Sequence, residues 1–152
     1  MLKNALRVAA STFILSYCGY AVAQVNSGDS PNLAFGMNGN SDNGCYTNAQ
    51  AVYDRVSSEL SQKGFYLISN PETEEFDFVL RLDVFALPIE ETGQCVASLL
   101  FVTNRPITVD GMDGNFSVNT SNQLILGSGS NLNAAILRMA SEYVAGVFSA
   151  RN

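Results

Sequence analysis

The residues in this sequence that could do chemistry are carboxylates, because the chain contains no histidine. Histidine is the commonest general base and metal ligand, so its absence excludes Ser-His-Asp and Cys-His catalysis. Paired carboxylates could still act as acid and base, as in glycoside hydrolysis. Such residues are more often simply solvated, so we regard catalysis as the least favoured interpretation. The acidic candidates lie on one predicted strand or in the turns at its ends: Asp77, Asp83, Glu74, Glu75, Glu90 and Glu91.

The stretch NGNSDNG resembles a calcium-binding loop in outline. Asn38, Asn40 and Asp42 stand at alternating positions and carry oxygen atoms. An EF-hand loop, however, needs glycine at its sixth position and glutamate at its twelfth. Asn43 and Ala49 occupy those positions here. We therefore expect a turn-rich surface loop, and the sequence predicts no metal site and no cofactor.

The first 23 residues have the pattern of an export signal. Lys3 and Arg7 are followed by an apolar run over residues 8–17 and by the small-x-small sequence AVA at 21–23. The apolar run is too short to span a bilayer, which takes about 20 residues. We therefore predict a cleaved signal peptide at 1–23 and a single exported α/β domain at 24–152. The localisation predicted is the periplasm or the secreted space.

The predicted signal peptide determines how the three cysteines are interpreted. Cys18 raises the alternative of a lipoprotein, but Tyr17 stands where the bacterial lipobox has a small residue. Cleavage after Ala23 removes Cys18 and leaves Cys45 and Cys95, which allow one intramolecular pairing. Disulfides persist in exported proteins. We therefore predict a Cys45–Cys95 disulfide, since a zinc site would lack ligands.

The charge balance restricts the class of partner. Loss of Lys3 and Arg7 leaves six basic groups against 14 acidic ones, a net charge of −8. A chain without a basic patch cannot neutralise phosphates, so nucleic acid is not an expected partner. An anionic membrane surface would repel it too. No stable membrane insertion is expected after signal cleavage.

The elements that must position these residues begin with a short strand at 32–37 and a helix. Thr47 and Gln50 have the spacing of a capping box. Apolar residues then recur at steps of three and four, and Lys63-Gly64 has the composition of a helix end. The apolar stripe of this predicted helix is Ala49, Val52, Val56 and Leu60.

Strands are predicted next. Residues 65–69 (FYLIS) and 76–87 (FDFVLRLDVFAL) are apolar or alternating, and Val79 and Phe85 make the outer face of the second strand partly apolar. Residues 88–93 predict a hairpin that leads into an interior strand at 95–102. Two further short strands are expected at 116–118 and 124–126.

The end of the chain predicts a second helix after a hinge at 127–129, capped by Ser130 or Asn131. Its stripe is Leu132, Ile136, Met139, Tyr143 and Val147. Two helices and one sheet indicate an α+β fold: a two-layer sandwich with a mainly antiparallel sheet of four or five strands and both helices on one face.

The element order, with KGFYLIS and FDFVLRLDVFAL at its centre, resembles that of small exported accessory domains of Gram-negative envelopes. Because the chain offers a stable disulfide-tied scaffold and no catalytic motif, we expect a non-enzymatic accessory role in which the protein engages another envelope or secreted protein, by addition of a strand to a sheet edge or through the polar loop. One alternative is an acidic inhibitor or immunity-type protein that blocks a basic active site. The other is a carboxylate-dependent hydrolase. The predicted protein-binding surface comprises Asn38, Asn40, Asp42, Asp77, Arg81 and Asp83.

Overall fold

The computed structural model describes residues 30–39 and 44–148. The predicted signal peptide lies outside the described residues. Neither helix of the described part has the length and apolarity that crossing a membrane requires. The elements in chain order are β1 (Asn32–Gly39), α1 (Ala49–Gln62), β2 (Tyr66–Leu67), β3 (Phe78–Ile89), β4 (Gln94–Val109), β5 (Met112–Gly127) and α2 (Gly129–Val147).

The five strands form one sheet in the order β2-β1-β3-β4-β5. β1 runs parallel to both β2 and β3, while β3, β4 and β5 are antiparallel hairpin neighbours. Both helices pack on one face of this sheet, here called the inner face, and the opposite face is the outer face. The prediction of a two-layer α+β fold with a mainly antiparallel sheet is therefore confirmed.

Helix α1 forms where predicted, but its N-terminus differs from the prediction. Asn48 is the N-cap, and no side chain caps the helix. Gln50 donates to Asp54 instead of reaching back to Thr47. The capping box was wrong because Asn133 of α2 accepts the backbone N–H of Thr47 at 3.0 Å, so contact between the two helices replaces the local cap.

Helix α2 begins earlier than predicted. Ser128, in extended conformation, is its N-cap, and Gly129 already lies in the helix. Gly127 belongs to β5, so the predicted hinge at 127–129 is a direct strand-to-helix junction. The predicted caps, Ser130 and Asn131, are therefore wrong. The buried stripe of α2 is Leu132, Ile136, Ala140, Tyr143 and Val144.

The disulfide is confirmed. Cys45 and Cys95 are joined and buried, with their Cα atoms 5.8 Å apart. The bond ties the segment before α1 to the start of β4 and closes a loop of 50 residues. It indicates an oxidising compartment outside the cytoplasm. Next to it, Tyr46 is fully buried, and burial raises its pKa to about 12.

The end of the sheet differs most from the prediction. The two short strands expected at 116–118 and 124–126 are parts of one 16-residue strand, β5. The two-residue turn at Asp110 and Gly111, both with positive φ, connects it to β4. Polar residues between the two apolar segments do not interrupt β5, because its ladder to β4 continues with one irregularity at Thr103.

Candidate interaction surfaces

Three residues of the predicted surface meet on the outer face. Asn38 pairs with Asp83 across β1 and β3, and Arg81 precedes Asp83 by two residues. Asn38 Nδ2 donates to Asp83 Oδ1 at 2.8 Å, and Arg81 Nε lies 2.9 Å from Asp83 Oδ2. Asp83 is only 7% exposed, so the expectation that it lies on an exposed surface is wrong. Pairing with β1 covers it with Asn38 and satisfies both of its oxygens. Arg81, whose side chain is 53% exposed, is the accessible member.

Asp77 lies apart from that cluster. Its Oδ2 accepts the backbone N–H of Asn32 at 2.9 Å, and its own N–H donates to the carbonyl of Asn32 at 2.9 Å. Six strand positions separate Asp77 from Asp83, which is about 20 Å. Asp77 therefore joins β1 to the start of β3. It is too far from Asp83 for the two residues to form one binding surface. Asn40 and Asp42 lie outside the described residues.

The glutamates considered for catalysis also lie apart. Glu74 and Glu75 precede β3, whereas Glu90 and Glu91 follow it, and all four are exposed. β3 has 12 residues, so its two ends are about 40 Å apart. Among residues 30–39 and 44–148, no three His, Cys, Asp or Glu side chains are grouped as a metal site requires.

A shallow cleft of about 270 Å³ lies where the short strand β2 ends. β2 pairs with Asn32 and Leu33 only, so beyond Leu33 the side of β1 that faces away from β3 has no strand beside it in the described part of the chain. Phe35 and Tyr53 stack at the cleft with ring centroids 5.0 Å apart. None of the described residues that line it is a carboxylate, so it offers an apolar binding space without an acid–base pair. Its lining includes Ala34, Gly36, Ile68, Val79 and Arg81.

One end of the outer face is apolar and uncovered in the described structure. Two rows of paired residues cross β3, β4 and β5 there, Phe85–Ser98–Leu124 and Leu87–Val96–Leu126. Phe85 is 60% exposed and Leu124 is 76% exposed. We call the apolar members the outer patch: Phe85, Leu87, Val96, Leu124 and Leu126.

At the other end of the sheet, the β4–β5 hairpin extends past the helices. We call residues 104–118 the arm. One side of the arm corresponds to the inner face and carries Arg105, Ile107, Val109, Met112 and Phe116. All but Arg105 are exposed, with Met112 at 71% and Phe116 at 60%. We call the four apolar residues the arm face: Ile107, Val109, Met112 and Phe116.

The base of the arm is held by a short chain of hydrogen bonds. The hydroxyls of Thr103 and Tyr143 lie 3.0 Å apart, and the Tyr143 hydroxyl donates to Asn119 Oδ1 at 3.3 Å. Phe101 and Tyr143 stack beside them. Burial raises the pKa of Tyr143, and the hydrogen bond with Thr103 partly opposes that shift. The last turns of α2 are thus anchored where the arm leaves the core.

β5 is an edge strand along its entire length in the described structure. The tight turn at Asp110 and Gly111 makes Val109 and Met112 exchange both backbone hydrogen bonds. Along an antiparallel ladder, hydrogen-bonded pairs alternate with pairs that are not hydrogen-bonded. Counted along β4 from Val109, Leu99 and Gln123 form a hydrogen-bonded pair. Asn122, next to Gln123, therefore turns its N–H and C=O toward the open edge. β5 contains no proline or lysine, residues that commonly protect such edges.

The sequence pattern had only partly indicated these surfaces. The pattern of β3 predicts that Phe85 lies on the outer face, and residues 124–126 predict a strand. The sequence does not show that β4 brings these two segments together. The Asp-Gly sequence at 110–111 is a hairpin signal. The polar residues around it give no strand pattern, so the sequence does not predict two strands as long as those of the arm.

Comparison with known proteins shows the fold alone. No protein-family model matches the chain, and no curated protein matches its sequence. The solved structure of the hypothetical protein CT253 from Chlamydia trachomatis is similar, with a TM-score of 0.52 and 9% identity over 80% of this chain and 99% of that one. The PelC dodecamer from Paraburkholderia phytofirmans is also similar, with a TM-score of 0.51 and 13% identity over 81% of this chain and 90% of that one.

Proposed function

We propose that this protein is a non-enzymatic accessory protein of the periplasm or the secreted space. It engages another envelope or secreted protein by accepting a strand of that protein along the free edge of β5. The observation that carries this proposal is the 16-residue edge strand without lysine or proline. Backbone groups of such an edge bind an added strand, and nearby pockets select its side chains.

The arrangement of carboxylates favours binding over hydrolysis. Asp83 has partners for both oxygens, and Asp77 is occupied by the backbone of Asn32. Carboxylate catalysis needs two groups on either side of one bond, within about 10 Å. The separation of about 20 Å between these two residues is too large.

The acidic inhibitor remains the second candidate, but its two acidic turns do not act together. The turn with Glu74 and Glu75 and the turn with Glu90 and Glu91 lie at opposite ends of β3, about 40 Å apart. One basic active site cannot receive both. Capture by acidic turns would weaken steeply with salt, whereas strand addition depends on backbone hydrogen bonds and much less on salt.

The test is partner capture with a variant that removes one edge N–H. The tagged protein is exported in its own host, crosslinked in place and purified at low and at high salt. Asn122→Pro removes the outward N–H, while Asn122→Thr keeps it and serves as the matched control. Both variants remove the Asn122 amide oxygen that accepts from Ser98, so the loss of that acceptor does not distinguish them.

We expect one dominant protein partner, retained at high salt by the wild type and by Asn122→Thr, and lost by Asn122→Pro. Loss of the partner at high salt from all three would favour the acidic inhibitor. Recovery of the protein alone in every case would refute the accessory role. The intact mass of the same sample tests cleavage after Ala23 and the fate of Cys18.

A further inference from the structure

The length of the arm follows from the different rise of helices and strands. α2 has 19 residues and covers about 28 Å from its start beside Gly127. β5 ends at that junction and has 16 residues, which is about 53 Å. Tyr143, near the end of α2, reaches Asn119 of β5. The arm therefore extends about 20 Å beyond the helix layer.

The arm is amphipathic and lacks a core of its own. Four apolar side chains line the arm face, and the opposite side carries polar residues such as Thr108, Asp113 and Asn115. An isolated two-stranded hairpin is at best marginally stable in water. An apolar row on one face of such a hairpin is the pattern of a surface that is buried against another sheet or helix.

The outer patch is the complementary surface in the same chain. It lies at the opposite end of β5 from the arm tip and crosses three strands. The charged neighbours lie beside these surfaces: Arg105, on the same side as the arm face, is half-buried, and the turn with Glu90 and Glu91 follows the outer patch along β3. Like-charge repulsion would act only at their margins.

We propose that the arm of one copy of this protein packs its arm face on the outer patch of a second copy. The contact is head-to-tail, because the two surfaces are different and lie at opposite ends of the sheet. Sheets pack face to face at about 10 Å, and the three-stranded patch is wide enough to receive the two-stranded arm. A contact of this type closes into a ring or continues as a filament.

The area agrees with a contact between copies. Each surface presents on the order of 400 Å² of apolar side chain. With flanking polar atoms, the contact reaches about 1,200 Å², the lower end of stable interfaces. Since every copy carries one arm and one outer patch, each arm face finds one outer patch on a neighbouring copy. An anionic lipid surface would repel the arm tip, where Asp110 and Asp113 lie.

The test uses purified full-length protein after export, analysed by sedimentation velocity and light scattering over a range of concentrations. Met112→Ser with Phe116→Ser disables the arm, and Phe85→Ser with Leu124→Ser disables the patch. Tyr66→Ser is the control, because Tyr66 is equally exposed but lies at the opposite edge, on β2. Circular dichroism verifies that all variants fold.

We expect the wild type and the control to form concentration-dependent oligomers. Each double variant alone should be monomeric, with its dissociation constant raised about 100-fold or more, since two central apolar side chains are lost. Mixing the two double variants should give a 1:1 heterodimer, because each supplies the surface that the other lacks. A symmetric contact would give no such rescue.

The proposal is overturned if the wild type is monomeric, if the variants leave its mass unchanged, or if the mixture stays monomeric. A monomer that floats with phosphatidylglycerol vesicles and loses this property on Met112→Ser with Phe116→Ser would assign the arm to a membrane instead. The contact uses faces of the sheet, not the edge at Asn122. Self-association and partner capture can therefore fail independently.

Discussion

The hydroxyl pair at the base of the arm allows a sharp test of the packing described above. Thr103 is fully buried, and its hydroxyl lies 3.0 Å from the hydroxyl of Tyr143. Tyr143 has a second partner in Asn119 at 3.3 Å. Thr103→Val and Tyr143→Phe each remove one hydroxyl while nearly preserving the shape of the side chain. The two single variants should nevertheless differ in cost.

The two single variants differ in unfolding free energy because a different hydroxyl stays buried in each. Tyr143→Phe leaves the Thr103 hydroxyl buried without its partner, which costs about 1–3 kcal/mol of unfolding free energy. Thr103→Val leaves the Tyr143 hydroxyl bonded to Asn119, so its cost is about 1 kcal/mol or less. The double variant removes both polar groups. We expect it to be more stable than Tyr143→Phe alone by about 1 kcal/mol.

Equilibrium urea unfolding with the disulfide intact measures these differences. The slope with denaturant should stay constant, since none of the variants changes the surface exposed on unfolding. Tyr53→Phe, at a half-exposed tyrosine on α1, is the control and should lie within about 0.5 kcal/mol of wild type. The reasoning is refuted if the costs of the two single variants simply add in the double variant.

Three further predictions concern the packing around the disulfide. Replacing Cys45 and Cys95 by serine should lower the unfolding free energy by about 4 kcal/mol, because the bond closes a 50-residue loop; a urea midpoint equal to wild type would contradict this. Burial raises the pKa of Tyr46 from 10.0 to about 12, so stability present below pH 10 should be lost as the pH rises to 12. The loss should reach at most about 3 kcal/mol, and thermal melts of Tyr46→Phe should lack it. Gly39→Ala would place a methyl group 2.7 Å from Tyr46 Cε1 and should lower the unfolding free energy by about 1–3 kcal/mol. Gly36→Ala is the control, because its methyl group meets no atom within 4 Å, and it should melt like wild type.

Features that the local apolar pattern, the turn residues or the cysteine count determine were predicted correctly. The apolar spacing of Val52, Val56 and Leu60 predicts α1, since residues at these steps share one helix face. The Cys45–Cys95 pairing followed from counting cysteines once Cys18 was assigned to the signal. The hairpin before β4 followed from its turn residues, where Gly93 adopts a positive φ.

Features that depend on which strand or helix packs beside a residue were predicted incorrectly or not at all. The alternation of β3 correctly places Asp83 on the outer face, but only the parallel pairing with β1 brings Asn38 over it and buries it. The capping box failed for the same reason, because Asn133, 86 residues away, satisfies Thr47. Neither partner is visible from local sequence.

The sequence by itself determined the periodicities, the turns and the disulfide of this protein, because each is set by chemistry within a few residues or by a count. Only the tertiary structure decided which apolar residues are covered. A helix advances about 1.5 Å per residue and a strand about 3.3 Å, so α2 ends where the arm begins. Apolar residues beyond that point, such as Phe116, have the same pattern as core residues but no helix above them.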